Sequence, residues 1–295
     1  MSDFIQRFHF LDSPVRGEVV QLEDSFAAVL ERHEYPPRVQ ALLGELMAAS
    51  VLLAATLKFE GSLILQARGN GPLETLMAEC NHEGEVRAIA QLGESWHEGA
   101  ASLSLAELLG EGQLAITIDP TKGKRYQGIV PLNGANLARC VEHYFEQSEQ
   151  LPTRIWLAAE EGQAGGILLQ VLPASEDETQ HEGDKDTWSR LQQLTDTVRP
   201  TELVELPAAE LLYRLYHEEN VELIEADDVS FSCTCSRERT EAALVSLGEP
   251  ELRTILEEQG QIRVSCQFCN QEYVFDTIDV EQLIRGGTGH PAQLH

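Results

Sequence analysis

Positive charge is scarce in this chain. Its 295 residues carry 21 Lys and Arg against 49 Asp and Glu, a net charge of −28. Nucleic-acid binders draw most of their affinity from Lys and Arg placed on phosphates, so nucleic acid is not an expected partner. Long apolar runs are also missing. The most apolar segment, Leu42–Leu57, carries Gly44 and Glu45, and its uncharged part of about a dozen residues is too short to span a bilayer. It reads as a buried Ala/Leu helix, and no membrane partner is expected. The opening Met1-Ser-Asp-Phe-Ile-Gln-Arg lacks a basic stretch followed by an apolar one, so no secretory signal is expected. No Ser/His/Asp or paired-carboxylate constellation stands out. Gly69-Asn70-Gly71-Pro72 lacks the third glycine of a dinucleotide fingerprint and the Gly-Lys-Ser/Thr of a phosphate loop. The basic Thr121–Arg125 cluster reads as a solvated hairpin tip. No enzyme is expected on these grounds.

What is present is cysteine in a particular arrangement. Cys233-Thr-Cys235 is followed, thirty residues on, by Cys266-Gln-Phe-Cys269. Two close pairs of thiolates can converge on one tetrahedral zinc. Cys-x-x-Cys is the usual zinc knuckle; Cys-x-Cys is uncommon in structural sites. Its short spacer also lets the two sulfurs oxidise to each other in a strained ring, and strained, exposed disulfides are the labile or regulatory ones. The four cysteines therefore read as a zinc site when reduced and as two local disulfides when oxidised, set against a plain zinc-stabilised fold with no switching. Cys80 and Cys140 read differently, as small buried hydrophobes on apolar faces.

Three regions follow from composition and periodicity. Residues 1–173 form an α+β core domain of layered sheet and helix. Its expected strands are Val15–Gln21, Ser62–Arg68, Leu73–Cys80, Glu85–Leu92, Gln113–Ile118, Arg125–Pro131, Thr153–Ala159 and Gly165–Leu172. Short turn-rich links imply antiparallel hairpins. Its expected helices are Glu23–Glu34, Pro37–Lys58, Leu103–Leu109 and Ala135–Gln147. Residues 174–230 form an acidic helical linker with 16 acidic and 4 basic residues. It opens on the polar run Ser175–Asp186 and continues into two amphipathic helices. One carries Trp188, Leu191, Leu194 and Val198 and ends before Pro200; the other, after Pro207, carries Leu211, Leu212, Leu215 and Tyr216. Their apolar stripes need a docking surface. Residues 231–295 form a small four-cysteine module with a helix after Cys235, a helix Pro250–Gln259, and a hairpin of Gln261–Ser265 and Glu272–Asp276. A module of this size with few bulky apolar residues needs its metal to fold.

With these features in order, the whole chain resembles the heat shock protein 33 family, the redox-regulated holdase chaperones also called 33 kDa chaperonins. The specific feature is the Cys233/Cys235 and Cys266/Cys269 set. Arg68-Gly-Asn-Gly-Pro-Leu73, Tyr126-Gln-Gly-Ile-Val-Pro-Leu132 and Tyr144-Phe-Glu-Gln-Ser-Glu-Gln-Leu-Pro-Thr153 support it. The resemblance implies a cytoplasmic, ATP-independent chaperone, inactive when reduced and carrying one zinc per chain. Oxidation would then form Cys233–Cys235 and Cys266–Cys269 disulfides, release zinc, unfold the linker and give a homodimer that holds unfolding client proteins. Trp188, Leu191, Leu194, Leu211, Leu212 and Leu215 are the candidate client-binding residues. Three other readings compete. A zinc-ribbon nucleic-acid module needs a basic face, whereas residues 231–295 carry 5 Arg, no Lys and 10 acidic residues. A thiol-disulfide oxidoreductase would place Cys266-x-x-Cys269 at the start of a helix in a βαβ unit, not between two strands. A passive zinc-stabilised protein is the third.

Overall fold

The computed structural model describes residues 3–57, 60–173 and 186–287 and divides the chain into two compact units, 1–232 and 233–295. In the first unit β1 (Phe4–Phe10) and β2 (Val15–Leu22) pair antiparallel, followed by α1 (Asp24–Leu30) and α2 (Pro37–Thr56). Next come β3 (Gly61–Arg68), β4 (Leu73–Asn81) and β5 (Glu85–Leu92), then α3 (Leu105–Leu109), β6 (Gln113–Pro120) and β7 (Tyr126–Pro131). Helix α4 (Leu137–Tyr144) runs into a π turn over Phe145–Glu149 and leads to β8 (Thr153–Glu160) and β9 (Gln163–Val171). Three helices, α5 (Thr187–Thr195), α6 (Pro200–Glu205) and α7 (Ala208–Tyr216), precede three very short strands, β10 (Val221–Leu223), β11 (Asp227–Asp228) and β12 (Ser230–Phe231).

These strands build two sheets. The first has the order β10-β1-β2-β9-β8, with β11 also on β1; the second has the order β12-β5-β4-β3-β6-β7. Helix α2 lies between them. Its Pro37 sits in the first turn, where the missing N–H costs nothing, and it is apolar almost all round, which marks a helix buried on every side. Its length and apolarity match a membrane span, yet 67% of that window is buried inside the unit. The two sheets differ in what covers them. Strand β3 alternates between fully and partly buried positions, as expected of a sheet with one wet face. Strand β9 is buried at every position from Ala164 to Gln170, so the first sheet is covered on both faces.

The second cover is the α5–α7 segment. Leu191, Leu203, Leu211, Leu212, Leu215 and Tyr216 form one buried cluster with Phe8, Phe10, Val15, Val19, Ile167 and Leu169. Gly165 permits the approach of α6: a Cβ there would lie 2.6 Å from the Leu203 carbonyl oxygen. Gln21 Nε2 donates to the carbonyls of Leu203 and Leu206, satisfying the end of α6.

The expected α+β layering is present, and most core strands fall within a residue or two of their expected bounds. Strand β1 is absent from the expected set: Phe4, Phe8 and Phe10 share one face at the strand period, but Gln6 interrupts them and Ile5 falls on the other face. Helix α1 is shorter than expected: after Leu30 the chain tightens, with Arg32 N–H donating to Val29 and His33 N–H to Leu30, three residues back instead of four. Pro200 begins α6 instead of merely following α5. The acidic run 175–185 and Lys58 lie outside the described residues.

One core carboxyl is poorly served. Glu18 is 2% exposed, its Oε2 has no hydrogen-bond partner among the described residues, and Arg16 stands 3.9 Å away. Burial pushes its pKa up to about 7, with Arg16 and Arg7 pulling the other way. Between its ordinary range and about 7 the folded state holds a proton that the unfolded chain has lost, so stability falls as pH rises through that window. Glu18→Gln is expected to stabilise the first unit by on the order of 3 kcal/mol at pH 8 and by little at pH 4. Urea unfolding at the two pH values checks this; a gain that does not change with pH rejects it.

Candidate metal centre

The second unit contains α8 (Arg237–Leu247), α9 (Glu249–Gln259), a hairpin of β13 (Ile262–Ser265) and β14 (Glu272–Phe275), and α10 (Thr277–Gly287). Its apolar core is small: Leu244, Leu252, Ile262, Phe275 and Val280 are the buried members. Ser236 caps α8 by accepting the Arg239 N–H. That cap, the residue after Cys235, starts the helix at Arg237 and so fixes where the first cysteine pair meets it.

The second pair sits in the turn of the β13–β14 hairpin. Asn270 N–H donates to the Cys266 carbonyl, and Cys266 N–H to the Gln271 carbonyl. Asn270 takes a left-handed conformation, φ 59°, which Asn tolerates better than most residues. The turn also points backbone donors at sulfur: Cys266 Sγ accepts from the N–H groups of Phe268 and Cys269, and Cys269 Sγ from that of Gln271.

All four sulfurs lie within 4.8 Å of one another, and all four cysteines are half-buried. Cys233 Sγ is 3.6 Å from Cys266 Sγ, and Cys235 Sγ is 3.4 Å from Cys269 Sγ. A tetrahedron of four sulfurs at Zn–S bond length has edges of about 3.8 Å, so the spacing and the all-thiol donor set fit one metal ion. The sulfurs crowd one another. Burial pushes the Cys269 thiol up to about 12 and raises that of Cys266. Neighbouring sulfurs contribute to both shifts. Thiolates this close repel unless a cation stands among them, which is the electrostatic condition a metal meets.

Two residues beside the cluster escaped the sequence reading. Tyr273 Oη donates to Cys235 Sγ at 3.2 Å. Arg237 lies over the Phe275 ring, donates to the Val274 carbonyl, and pairs with Asp279 and Glu241. It ties α8 to β14 and α10, and only the tertiary structure brings those partners together. Helix α10 was also missed: the hairpin was read to Asp276, and Asp276 instead caps the next helix by accepting from Ile278 and Asp279.

The remaining site candidates fall in the first unit. Leu191, Leu211, Leu212 and Leu215 are fully buried against the first sheet, and Trp188 and Leu194 are partly buried there. Cys80 and Cys140 are buried in the core, and burial pushes the Cys80 thiol up to about 12, away from thiolate reactivity.

A unit with four thiols placed to hold one metal ion, following an α+β unit, defines a class of two-part proteins with a candidate metal module. Comparison with known proteins narrows it. The family described as Hsp33 protein matches residues 3–276, and the chain belongs to that family. It is similar to the 33 kDa chaperonin of Pseudomonas putida strain GB-1, 50% identical over 287 residues, which cover 97% of this chain and 95% of that one. It is 47% identical to the 33 kDa chaperonin of Shewanella sp. strain ANA-3 over 294 residues, covering 99% of each. Its fold is similar to that of the crystal structure of the 33 kDa chaperonin from Thermotoga maritima. The TM-score is 0.82 at 23% identity, over 98% of this chain and 100% of the other.

Replacing any one of Cys233, Cys235, Cys266 or Cys269 with Ser is expected to lower bound metal from about one ion per chain to near zero. Cys80→Ser and Cys140→Ser should leave it unchanged. Metal analysis of the purified folded variants decides between these outcomes; full metal content in Cys233→Ser rules out the four-ligand assignment.

Proposed function

We propose that this protein is a redox-regulated, ATP-independent holdase chaperone whose metal is zinc. The carrying observation is the four-sulfur cluster in a unit whose own core is too small to stand alone. A bound zinc ion would keep the four sulfurs as thiolates and supply about 10–16 kcal/mol of apparent binding free energy, as in small zinc peptides. A typical domain has a net stability of only about 5–15 kcal/mol. Loss of the ligands therefore removes most of what keeps residues 233–287 folded.

The chemistry of the switch lies in the cysteines. Half-buried thiolates remain open to peroxide. Two peroxide molecules accept four electrons and four protons and leave as water. The four thiolates lose those electrons, close two S–S bonds and give up the metal. Cys233–Cys235 and Cys266–Cys269 are the proposed bonds, although the short sulfur contacts above run between the pairs. Once the module unfolds, the cross-pair sulfurs separate, whereas the chain holds each close pair together. Non-reducing peptide mapping of the peroxide-treated protein is expected to recover the two local bonds; a dominant Cys233–Cys266 or Cys235–Cys269 crosslink counts against them.

The docked α5–α7 segment is the proposed transducer. Its polar attachment is compact. Asp196 accepts the Trp156 indole N–H and faces Arg154 at 3.5 Å. Arg154 also donates to Gln192 and is held from behind by Glu142. Tyr216, packed on Phe8 and Phe10, shares a hydrogen bond with Thr195. Releasing the segment uncovers apolar surface on both partners, among them the six candidate residues. The cytoplasm, where thiols stay reduced until stress, is the proposed location, and a homodimer is the proposed oxidised form.

Aggregation of a thermally unfolding client should be suppressed by the peroxide-treated protein and not by the reduced, metal-loaded protein, without nucleotide in either case. Equal suppression in both states removes the redox reading. Insulin reduction by the Cys266/Cys269 pair would instead favour an oxidoreductase. Gly165→Val, whose side chain must displace the α6 backbone, should speed hydrogen exchange over residues 200–206 in the reduced state and lower the temperature at which holdase activity appears. Unchanged exchange there shows that α6 docking does not depend on this contact.

A further inference from the structure

Residues 220–232 form a strap with an unusual position. It runs along the outer edge of β1, pairing Phe10 with Val221, Phe8 with Leu223, Ile5 with Asp227 and Phe4 with Asp228. It then crosses to the second sheet, where Ser230 and Phe231 lie parallel to Glu85 and Val86 of β5. Two residues after Phe231 comes Cys233. The strap thus covers an edge of each sheet just before the chain enters the cysteine module.

Its hold on β1 is mainly through the backbone. The carbonyls of Asp3 and Arg7 accept from Val229 and Ile224, and the Leu11 N–H donates to Asn220. The odd-numbered residues of this stretch therefore turn their main-chain groups towards the strap, while the even-numbered ones pair with β2. Side chains add little. Residues 222–228 are all exposed, and Val229 alone is buried between 221 and 232. Glu222, Glu225, Asp227 and Asp228 are four carboxylates in seven residues, and among them the structure pairs Asp227 with Arg7. Such a sequence is a weak strand former, laid over an edge whose next layer is strongly apolar.

We propose that this strap is an autoinhibitory strand, and that an extended segment of an unfolding polypeptide replaces it on β1 by antiparallel strand addition. The inference rests on the redox reading above, which supplies the release. The observations fix the kind of occupant. Val221 and Leu223 stand opposite Phe10 and Phe8, on the face that α7 covers. With the strap and α7 lifted, β1 offers a free row of backbone donors and acceptors beside an aromatic face. An uncharged strand with aromatic or β-branched residues at alternate positions fits both, and fits better than the acidic strap. Main-chain hydrogen bonds require little of a client's sequence, which suits a protein that must hold many different chains. The net charge of −28 steers against acidic segments.

The test uses the full-length protein and a ten-residue peptide of alternating Val and Thr, with a twin carrying N-methyl groups on every second residue along one edge. The peroxide-treated protein should bind the plain peptide and lose at least tenfold in affinity for the methylated one, and the reduced protein should bind neither. Amide exchange at Arg7, His9 and Leu11 should be slow in the reduced protein, fast after oxidation, and slow again with the plain peptide present. Equal affinity for the two peptides, with client holding intact, overturns strand addition and leaves side-chain capture. So does an oxidised dimer in which these amides stay protected without peptide, since the strap of a second copy would then occupy the edge. If the oxidised protein neither holds clients nor exposes these amides, the redox reading itself has failed, a different outcome from either.

Discussion

The first sheet has no face of its own to offer to water. β9 is buried along its length, and Phe8, Phe10, Val19 and Ile167 need a cover as much as the α2 side does. That demand organises the first unit. Helix α2 meets it from one side and is therefore apolar all round. The α5–α7 segment meets it from the other and is therefore amphipathic, with its charges outward. Burying a leucine side chain contributes about 1.5–3 kcal/mol, so four fully buried leucines dock the segment firmly while the chain around them stays in place. The same leucines become exposed apolar surface as soon as it leaves. In the proposed switch, the stability of the closed form and the stickiness of the open form thus come from one set of contacts.

The cysteine unit works under the opposite condition, too little apolar surface. Its core is five buried side chains and a hairpin of four-residue strands beside the four-sulfur cluster. In the proposed switch, covalent chemistry at those sulfurs therefore acts on a whole unit, where the loss of one hydrophobic contact would not. The dozen residues before Cys233, 221–232, are held on β1 and β5 chiefly by main-chain pairing. A segment that buries one side chain in that length is held far less firmly than the α5–α7 leucines.

Much of this was legible in the chain. The cysteine spacing pointed to the four-sulfur set because two close pairs can supply the four corners of a tetrahedron. The hairpins of the core showed through their turns, and α2 through its composition. The stripes of Leu191, Leu194, Leu211, Leu212 and Leu215 announced a docking face, since helical periodicity is a local property. Strand β1 and the short strands at 221–231 did not show. The short strands are only two or three residues long, too short to show a period, and they pair with β1 more than two hundred residues away or with β5 of the second sheet. Strand β1 pairs with the neighbouring β2, but Ile5 and Gln6 break the alternation of Phe4, Phe8 and Phe10. Tyr273 and Arg237 stayed hidden for the same reason: a hydroxyl on a sulfur 38 positions away and a guanidinium over a ring leave no periodic trace.

By itself, then, the sequence determined the elements whose cause is local. Glycine, proline and asparagine set the turns, apolar periodicity set the helices, and paired cysteines set the donor atoms of a candidate metal centre. Only the tertiary structure decided which face the α5–α7 leucines bury, that Gly165 admits the α6 backbone, that Glu18 is sealed beside two arginines, and that an acidic strap closes the edge of β1. Each of these depends on two stretches meeting from far apart along the chain. Burial, desolvation and strand pairing act on distance in space, and the order of residues records that distance only where a pattern repeats.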